Sequence, residues 1–258
     1  MPELPDIEVF SASLQALLQG RTLRRVQVIN GQKLKDSPET LSEALEGRKL
    51  LEVFRAGKEF RLRFSGDVVL GMHLVLSGDL FTFGKTNEQK FTIVELYFSG
   101  GVNLALTDRM RNAYVKLNPE EKGGIDALDK ALSFEKLKAL LQSKALVRNV
   151  LLNQDKIRGI GNGYADEILW EARISPFSVA SAIPDDKVKD LLKAIRSVLQ
   201  RATKSIAKKY PGRLQGEVRD FMRVHTSERT ESPTGYPIKK ISRGLTKVHY
   251  TDEQVLYT

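Results

Sequence analysis

The sequence predicts an α+β protein in which a β-rich domain comes first and a helical domain follows. Residues 22–115 contain short apolar runs separated by Gly, Ser and Asp turns, as in a sandwich or a barrel-like β domain. From residue 132 onwards the apolar residues recur at helical spacing instead. An Asn-Pro pair at 118–119 and a Gly-Gly pair at 123–124 indicate a linker between the two patterns.

An amphipathic helix is predicted before the first strand, over residues 5–19. Ile7, Phe10 and Leu14 fall on one side of it, and Gly20 ends it. Runs rich in β-branched and aromatic residues, bounded by turn residues, then predict strands. The predicted strands are 23–29, 50–54, 60–64, 68–76, 91–98 and 102–106.

Four helices are predicted in the second half of the chain. They cover residues 132–142, 146–154, 163–172 and 186–209. Pro184 and Asp185 supply a capping signal for the last one. After Pro211 the chain becomes polar and basic, which indicates a separate C-terminal segment. The predicted domains are therefore residues 1–118, 125–220 and 221–258.

Composition narrows the class of partner and of chemistry. The 258 residues carry a net charge of +9, with a pI of about 9.6, and this excess favours a polyanionic partner. The absence of cysteine excludes disulfides, thiolate zinc sites and cysteine nucleophiles, and it fits a reducing cytosol. No apolar run approaches the roughly 18 residues of a membrane span, and no secretion signal is visible, so a membrane partner is not expected.

The first three residues offer a nucleophile. Methionine before a small residue is normally trimmed, and trimming of Met1 would leave Pro2 with a free secondary amine. An α-amino group titrates at about 7.7–8.0, so a useful fraction is uncharged at neutral pH and can attack a sugar carbon to form an imine. Glu3 could move the protons. A proline-rich start to the predicted helix remains the structural alternative.

Three further segments carry candidate binding residues. Lys58 follows a glycine between two predicted strands and is a candidate binding residue. The alternative is an ordinary lysine on a solvent-exposed face of a strand. His73 ends a strand, where a hydrogen-bonded structural histidine is the alternative. In the glycine-rich turn over residues 156–167, Asn162 is predicted to cap the next helix, whose N–H groups would bind phosphate. An ordinary helical hairpin is the alternative there.

Together these segments resemble the formamidopyrimidine-DNA glycosylase/endonuclease VIII family of base-excision repair. The matches lie in the family's order over most of the chain, and the opening residues and the glycine turn are the specific ones. The matching segments are Pro2-Glu3-Leu4-Pro5, Gly57-Lys58, His73-Leu74, Ser77-Gly78, Thr107-Asp108 and Gly159-Ile160-Gly161-Asn162 with Tyr164–Leu169.

The resemblance implies a fold and an activity. The fold would be an N-terminal helix and β-sandwich, a helix–two-turn–helix domain and a C-terminal hairpin finger, with DNA in the cleft between the domains. Pro2 would attack the sugar C1′ and Glu3 would donate a proton, with Lys58 also in the catalytic set. Lys58, His73 and Asn162 would hold phosphates around an everted nucleotide. The protein would then be a bifunctional glycosylase/AP lyase that removes damaged, oxidised bases and nicks the strand by β-elimination, with δ-elimination left open.

The C-terminal segment departs from the family, which usually ends in a four-cysteine zinc finger. Glu231, Thr234, Thr251 and Gln254 occupy the cysteine positions, so a tetrahedral zinc site is not expected there. The hairpin length is kept, as in the zincless finger of some relatives. No metal and no organic cofactor is therefore expected.

Two sets of DNA-contacting residues also differ from the family. Thr246 stands where the finger arginine would be, and Arg243 or the adjacent Lys247 could replace that arginine. The residues that fill the gap left by the flipped base would be Leu76, Met110 and Asn112, with Arg109 and Arg111 on either side of Met110. These changes bear on lesion specificity more than on the chemistry.

The expected partner is damaged double-stranded DNA, bound by a monomer. The expected location is the bacterial cytoplasm, in association with the nucleoid, or the nucleus of a eukaryote. One alternative is a non-catalytic protein that binds damaged or junction DNA on the same fold. Another is a nucleic-acid-binding module that shares only the helical hairpin. The intact Pro2-Glu3 pair argues against both.

Overall fold

The structure is a computed structural model that describes residues 1–121, 123–243 and 246–258, without the side chain of Arg243. The chain forms two compact units. The first contains Met1–Glu121 and Ile206–Glu217, and the second contains Lys122–Ser205 and Val218–Thr258. In the part of the chain that is described, no helix is both long and apolar enough to cross a bilayer.

The first unit contains two four-stranded antiparallel sheets, which confirms the predicted sandwich. One sheet has the order β1-β6-β7-β5 and the other has the order β2-β3-β4-β8. The elements are α1 (Leu4–Leu18), β1 (Leu23–Val28), α2 (Pro38–Leu45), β2 (Leu50–Ala56), β3 (Glu59–Phe64), β4 (Val68–His73), β5 (Gly78–Phe83), β6 (Thr92–Phe98), β7 (Asn103–Asp108) and β8 (Tyr114–Leu117).

Helix α1 packs against β2 and β3 and fixes the position of the N-terminus. The side chains of Leu4, Phe10 and Leu14 are fully buried, and the Phe10 ring stacks on Phe60 with centroids 6.4 Å apart. Full burial of one such side chain contributes about 1.5–3 kcal/mol. The helix ends as predicted before Gly20, whose φ of +81° is readily adopted only by glycine.

Several elements of the first unit differ from the prediction. Strand β4 stops at His73, because residues 74–77 form a turn rather than the continuation expected to 76. Strands β5 and β8 and helix α2 were not predicted. Helix α2 has only eight residues and buries only Leu41 and Leu45, so its apolar period is too short to recognise.

The second unit is mainly helical and ends in a hairpin. Two short parallel strands, β9 (Ile125–Asp126) and β10 (Ile157–Arg158), join its helices. Its other elements are α3 (Phe134–Leu141), α4 (Val147–Leu152), α5 (Asn162–Glu171), α6 (Asp185–Lys209), β11 (Lys239–Arg243) and β12 (Thr246–Tyr250). The last turn of α6 belongs to the first unit. Strand β12 packs against α5, which therefore supports the hairpin.

Candidate active site and nucleic-acid interface

Pro2 and Glu3 lie buried at the start of α1. The Glu3 N–H donates to Asp6 Oδ2 at 3.0 Å, and the Asp6 N–H donates in return to the Glu3 side chain, which is a capping box. The amine of Met1 pairs with the carboxylate of Glu217. While Met1 is present the Pro2 nitrogen is an amide, and its removal would create a secondary amine at this buried helix start.

Lys58 lies in the tight turn between β2 and β3, as predicted. Gly57 has a φ of +64°, which a glycine adopts at little cost. Arg55 holds this turn: its NH1 donates to the Gly57 carbonyl at 3.0 Å and its Nε donates to Glu8 Oε2 at 2.8 Å. Because Glu8 belongs to α1, Arg55 ties the turn that carries Lys58 to the helix that begins beside Pro2.

His73 is the last residue of β4, and its ring is fixed on two sides. Its Nδ1 accepts the Val75 N–H at 2.9 Å, and the ring stacks on Tyr114 with centroids 5.5 Å apart. Since Nδ1 accepts, a neutral ring carries its proton on Nε2, which is the donor that a phosphate contact requires. The structural and the phosphate-binding interpretations of His73 are thus compatible.

The candidate gap-filling residues lie on two loops joined by one carboxylate. Asp108 is 1% exposed. Its oxygens accept hydrogen bonds from Ser77 Oγ at 2.5 Å and from the backbone N–H groups of Met110 (2.9 Å), Asn112 (2.7 Å) and Ala113 (2.8 Å). Burial alone would raise the pKa of Asp108, but these donors outweigh burial and hold the pKa below its ordinary value.

Both loops present large side chains to solvent. Leu76 is 60% exposed and Met110 is 56% exposed, and Arg109 and Arg111 on either side of Met110 are exposed as well. Val75 has a φ of +54° and Arg111 a φ of +56°. A left-handed conformation is a genuine outlier for a β-branched residue such as Val75. Strain of this kind concentrates at ligand-contacting segments, where the surrounding contacts maintain it.

Asn162 was predicted to cap α5, but it is the first residue of the helix. The cap residue is Gly161. Asn162 Oδ1 accepts from Arg148 NH2 at 3.1 Å instead. The Arg148 Nε donates to Asp166 Oδ1 at 2.8 Å, so one guanidinium connects Asn162 to a buried carboxylate one turn further along α5. This arrangement orients the Asn162 amide NH₂ as a donor at the helix start, where backbone N–H groups favour anions.

The glycine turn before α5 is held by Gln154. Its Oε1 accepts the Gly159 N–H at 3.0 Å and its Nε2 donates to the Ile160 carbonyl at 2.8 Å. The φ of Gly159 is +100°, which only glycine adopts readily. Arg173, which follows α5, pairs with Glu253 at 2.7 Å. The glycine-rich turn before the helix start is therefore present as predicted.

The hairpin carries the remaining predicted DNA contacts. Lys247 is exposed on β12 and lies opposite Ser242 of β11. The backbone of Arg243 ends β11, and its side chain lies outside the described part of the chain. Which of the two replaces the family's finger arginine therefore stays a prediction.

Comparison with known proteins identifies the family. Residues 1–115 match the formamidopyrimidine-DNA glycosylase N-terminal domain, and residues 124–210 match the formamidopyrimidine-DNA glycosylase H2TH domain. The formamidopyrimidine-DNA glycosylase of Lactobacillus johnsonii is 30% identical over 215 residues, which cover 79% of this chain and 78% of that protein. The chain belongs to the formamidopyrimidine-DNA glycosylase family. The glycosylase of Ligilactobacillus salivarius is 28% identical over 267 residues, with 97% of each protein covered.

The fold of this glycosylase family member agrees with solved structures. Wild-type Lactococcus lactis Fpg in complex with oxidised-pyrimidine DNA superposes with a TM-score of 0.87 at 22% identity, covering 97% of this chain and 98% of that one. The predicted α+β architecture, with its sandwich, its helical domain and its C-terminal hairpin, is thus confirmed.

The four positions that match the zinc ligands of the glycosylase family do not fit a zinc ion here. Thr251 N–H donates to Gln254 Oε1 at 2.8 Å, and Gln254 Nε2 donates to the Ile174 carbonyl at 2.8 Å. The Thr234 hydroxyl donates to a carboxylate, and Glu231 is exposed. Zinc is not bound by neutral hydroxyls or by an amide whose oxygen and nitrogen are both hydrogen-bonded. Thr234, Thr251 and Gln254 instead stabilise the hairpin by hydrogen bonds.

Glu253 is the centre of that hydrogen-bonded cluster. Its side chain is 9% exposed. The groups on its carboxylate are Trp170 Nε1 (3.0 Å), Ser232 Oγ (3.2 Å), Thr234 Oγ1 (2.6 Å), Thr251 Oγ1 (3.0 Å) and Arg173 NH1 (2.7 Å). Burial favours a higher pKa for Glu253, but these donors and the Arg173 charge hold its pKa below the ordinary value. One carboxylate therefore joins α5, the loop before β11 and the chain after β12.

Sequence reasoning missed the residues that position the predicted ones. Arg55, Arg148 and Glu253 were not singled out, and Asp108 was matched without a role. Each contacts at least one group far away in sequence, such as Glu8 for Arg55 and Ser77 for Asp108, and local spacing does not reveal these contacts. Glu253 lies between two of the altered cysteine positions, and that was the one available signal.

Proposed function

We propose that the protein is a bifunctional DNA glycosylase/AP lyase of base-excision repair that removes oxidised bases from double-stranded DNA, with Pro2 as the nucleophile. The observation that carries the proposal is the Pro2-Glu3 pair at the buried start of α1, in a chain that belongs to the formamidopyrimidine-DNA glycosylase family. The curated relatives are named for this glycosylase activity.

The chemistry follows from a free Pro2 amine. The amine lone pair attacks C1′ of the damaged nucleotide, and the base leaves with a proton. Opening of the sugar gives an iminium, and loss of a C2′ proton then expels the 3′-phosphate by β-elimination. Glu3 is proposed to move these protons, and hydrolysis of the iminium returns the amine. The turn held by Arg55 supports a phosphate-binding and catalytic role for Lys58.

Borohydride trapping tests the nucleophile. Protein whose N-terminus is shown by mass spectrometry to be Pro2 should form a reduced covalent complex with DNA that contains an abasic site. Pro2→Gly should lower the yield of the complex, and Glu3→Gln should lower base excision while it spares binding. Pro38→Gly places the same change at the start of α2 and should leave trapping unchanged. The absence of a trapped species with free Pro2 would contradict the enzymatic proposal and favour the non-catalytic DNA-binding alternative.

The dependence of DNA binding on salt tests the proposed phosphate contacts. Each neutralised phosphate contributes a slope of roughly −0.9 in log K against log salt on duplex DNA. Lys247→Ala should flatten the slope by about one contact. Asn162→Asp keeps an oxygen for Arg148 but replaces the NH₂ donor, so it should weaken binding to abasic-site DNA without loss of folding. An affinity that does not change with salt would contradict these roles.

Oligomeric state and location complete the proposal. We propose a monomer that binds damaged duplex DNA, and the related complexes of Lactococcus lactis Fpg with oxidised-pyrimidine DNA and with abasic-site DNA support the choice of partner. The relatives cited above are bacterial, which supports a location in the bacterial cytoplasm with the nucleoid.

A further inference from the structure

Two of the three histidines of the chain converge on one buried carboxylate in the second unit. Asp166 lies on α5, His225 lies in the segment before the hairpin, and His249 lies on β12. One ligand atom from each of the three residues lies within 4.8 Å of the others. The neighbouring Glu167 holds this arrangement, because its carboxylate accepts the backbone N–H groups of residues 223–225 at 2.7–3.0 Å.

One distance in the cluster already suits metal coordination, and the other is that of a hydrogen bond. His249 Nδ1 lies 3.5 Å from Asp166 Oδ2, whereas His225 Nδ1 lies 2.8 Å from the same oxygen and is hydrogen-bonded to it, a bond that an ion would replace. Ligand atoms in a tetrahedral site with bonds of 2.0–2.2 Å are separated by about 3.4 Å. The two imidazole rings lie edge to face with their centroids 4.3 Å apart.

A second observation concerns the polar atoms of the cluster. His249 is 6% exposed, and among the residues that the structure describes its buried Nδ1 has no hydrogen-bond partner, since its 3.5 Å separation from Asp166 is too long for a good hydrogen bond. A buried nitrogen without a partner destabilises the folded state. A further group between His249 Nδ1, the Asp166 carboxylate and the His225 ring would give this nitrogen the partner that it lacks.

We propose that Asp166, His225 and His249 bind one divalent transition-metal ion through Oδ2 and the two Nδ1 atoms. Imidazole and carboxylate ligands suit Zn²⁺, Co²⁺ and Ni²⁺ rather than Mg²⁺ or Ca²⁺. His225 is 21% exposed, so the ion has a route from solvent and water supplies the fourth ligand. This site differs in residues and position from the four altered cysteine positions.

Arg148 acts as an outer partner of this site. Its Nε donates to Asp166 Oδ1 and fixes the carboxylate, as partners of metal ligands commonly do. Asp166 Oδ2 accepts the backbone N–H of His249 at 2.9 Å and keeps a second lone pair for the ion. Its positive charge opposes a dication, so the affinity should be below that of a four-ligand structural zinc site. The ion would join α5 to the segment before the hairpin and to strand β12 of the hairpin.

This inference and the sequence-based expectation of a metal-free protein exclude each other, and one titration decides between them. Tag-free protein, first dialysed against EDTA, is titrated with ZnCl₂ in an isothermal calorimeter. We expect one equivalent to bind, with a dissociation constant raised at least about tenfold in His225→Gln and in His249→Gln. His73→Gln changes the third histidine of the chain and should bind zinc as the parent does. No binding, or equal binding by all three variants, would overturn the proposal.

The parent protein alone provides a second test in case a variant fails to fold. With CoCl₂ as the probe, the visible absorption of a tetrahedral nitrogen and oxygen site should appear and saturate at one equivalent. Zinc should raise Tm and EDTA should reverse the rise, because a ligand that binds only the folded state stabilises it. Absence of both signals would overturn the proposal. Both measurements are made without DNA, so their outcome is independent of the proposed glycosylase activity.

Discussion

Asp108 in the first unit and Glu253 in the second each gather several donors, but the donors differ in kind. Three of the four groups on Asp108 are backbone N–H groups, whereas all five groups on Glu253 are side chains. A carboxylate that binds backbone tolerates almost any sequence in the loop. A carboxylate that binds side chains requires particular residues at five positions. The loop at Asp108 can therefore vary at Met110 and Asn112 without loss of its hydrogen bonds, whereas the hairpin at Glu253 depends on five particular side chains.

Replacement of Glu253 should cause the largest loss of free energy of unfolding. Glu253→Ala leaves Arg173 and Trp170 without their acceptor. Because the Arg173 side chain is 38% exposed, water can replace part of the ion pair, and we expect a loss of about 3 kcal/mol, mainly from the side-chain donors that lose the carboxylate. Unfolding in urea should report this loss of free energy. The exposed Glu228, in the same part of the chain, provides the matched control, and Glu228→Ala should change the stability by less than about 0.5 kcal/mol. Equal stabilities of the two variants would show that Glu253 does not hold the hairpin.

Replacement of Asp108 should cause a smaller loss of free energy of unfolding than replacement of Glu253. Asp108→Ala frees donors that belong to exposed loops, so water can replace the carboxylate for some of them, and we expect a loss of about 2 kcal/mol in urea unfolding. Because Leu76 and Met110 lose their fixed positions, affinity for abasic-site DNA should fall more than the stability does. Glu88→Ala, an exposed change in the same unit, is the control. Unchanged affinity in Asp108→Ala would argue against a DNA-contacting role for these loops.

Acid should weaken both clusters, by less than the alanine changes, because a protonated carboxyl still accepts hydrogen bonds. The folded-state pKa values of Asp108 and Glu253 lie below their ordinary values. Each carboxylate therefore contributes stability that is complete above the unfolded-state pKa of about 4 and is lost as the pH falls through the folded-state pKa. Urea unfolding at several pH values between about 3 and 6 measures this slope. Asp108→Asn and Glu253→Gln should each flatten it, and a slope unchanged in both variants would contradict this prediction.

The smallest expected effect concerns the strain at Val75. A left-handed conformation costs a residue other than glycine roughly 1–2 kcal/mol, and Val75→Gly removes this cost while it adds unfolded-state entropy. We expect stability within about 0.5 kcal/mol of the parent. Val69→Gly in strand β4, where no strain is relieved, should cost at least about 1 kcal/mol. If both variants lose the same stability in urea unfolding, the strain at Val75 is not real.

Local sequence patterns predicted most of the fold but fewer of the contacts within the site. The periodic runs that became α1, α5 and α6 were found within two residues of their ends. The strand predicted to reach residue 76 ended at His73, because the turn that follows depends on the hydrogen bond between Ser77 and Asp108. That bond joins residues 31 positions apart, and no local window contains both.

Some site residues could likewise be identified from local sequence, and others depend on partners that are distant in the sequence. Pro2, Glu3, Lys58 and His73 could be named from the sequence because short segments with fixed neighbours carry them. Asn162 was named for the right helix start but assigned a capping role, because its partner Arg148 lies 14 residues away on another helix. Which of Arg243 and Lys247 replaces the family's finger arginine stays a prediction.

The sequence by itself determined the two-part α+β organisation, the lack of cysteine chemistry, the positive charge and the position of Pro2 beside Glu3. These properties depend on composition and on neighbours within a few residues. Only the tertiary structure decided what holds the hairpin in place of cysteines and how His225 and His249 meet at Asp166. Asp166, His225 and His249 are 24 to 83 residues apart in the sequence. Their meeting depends on how α5 and β12 pack, and periodicity cannot specify that packing.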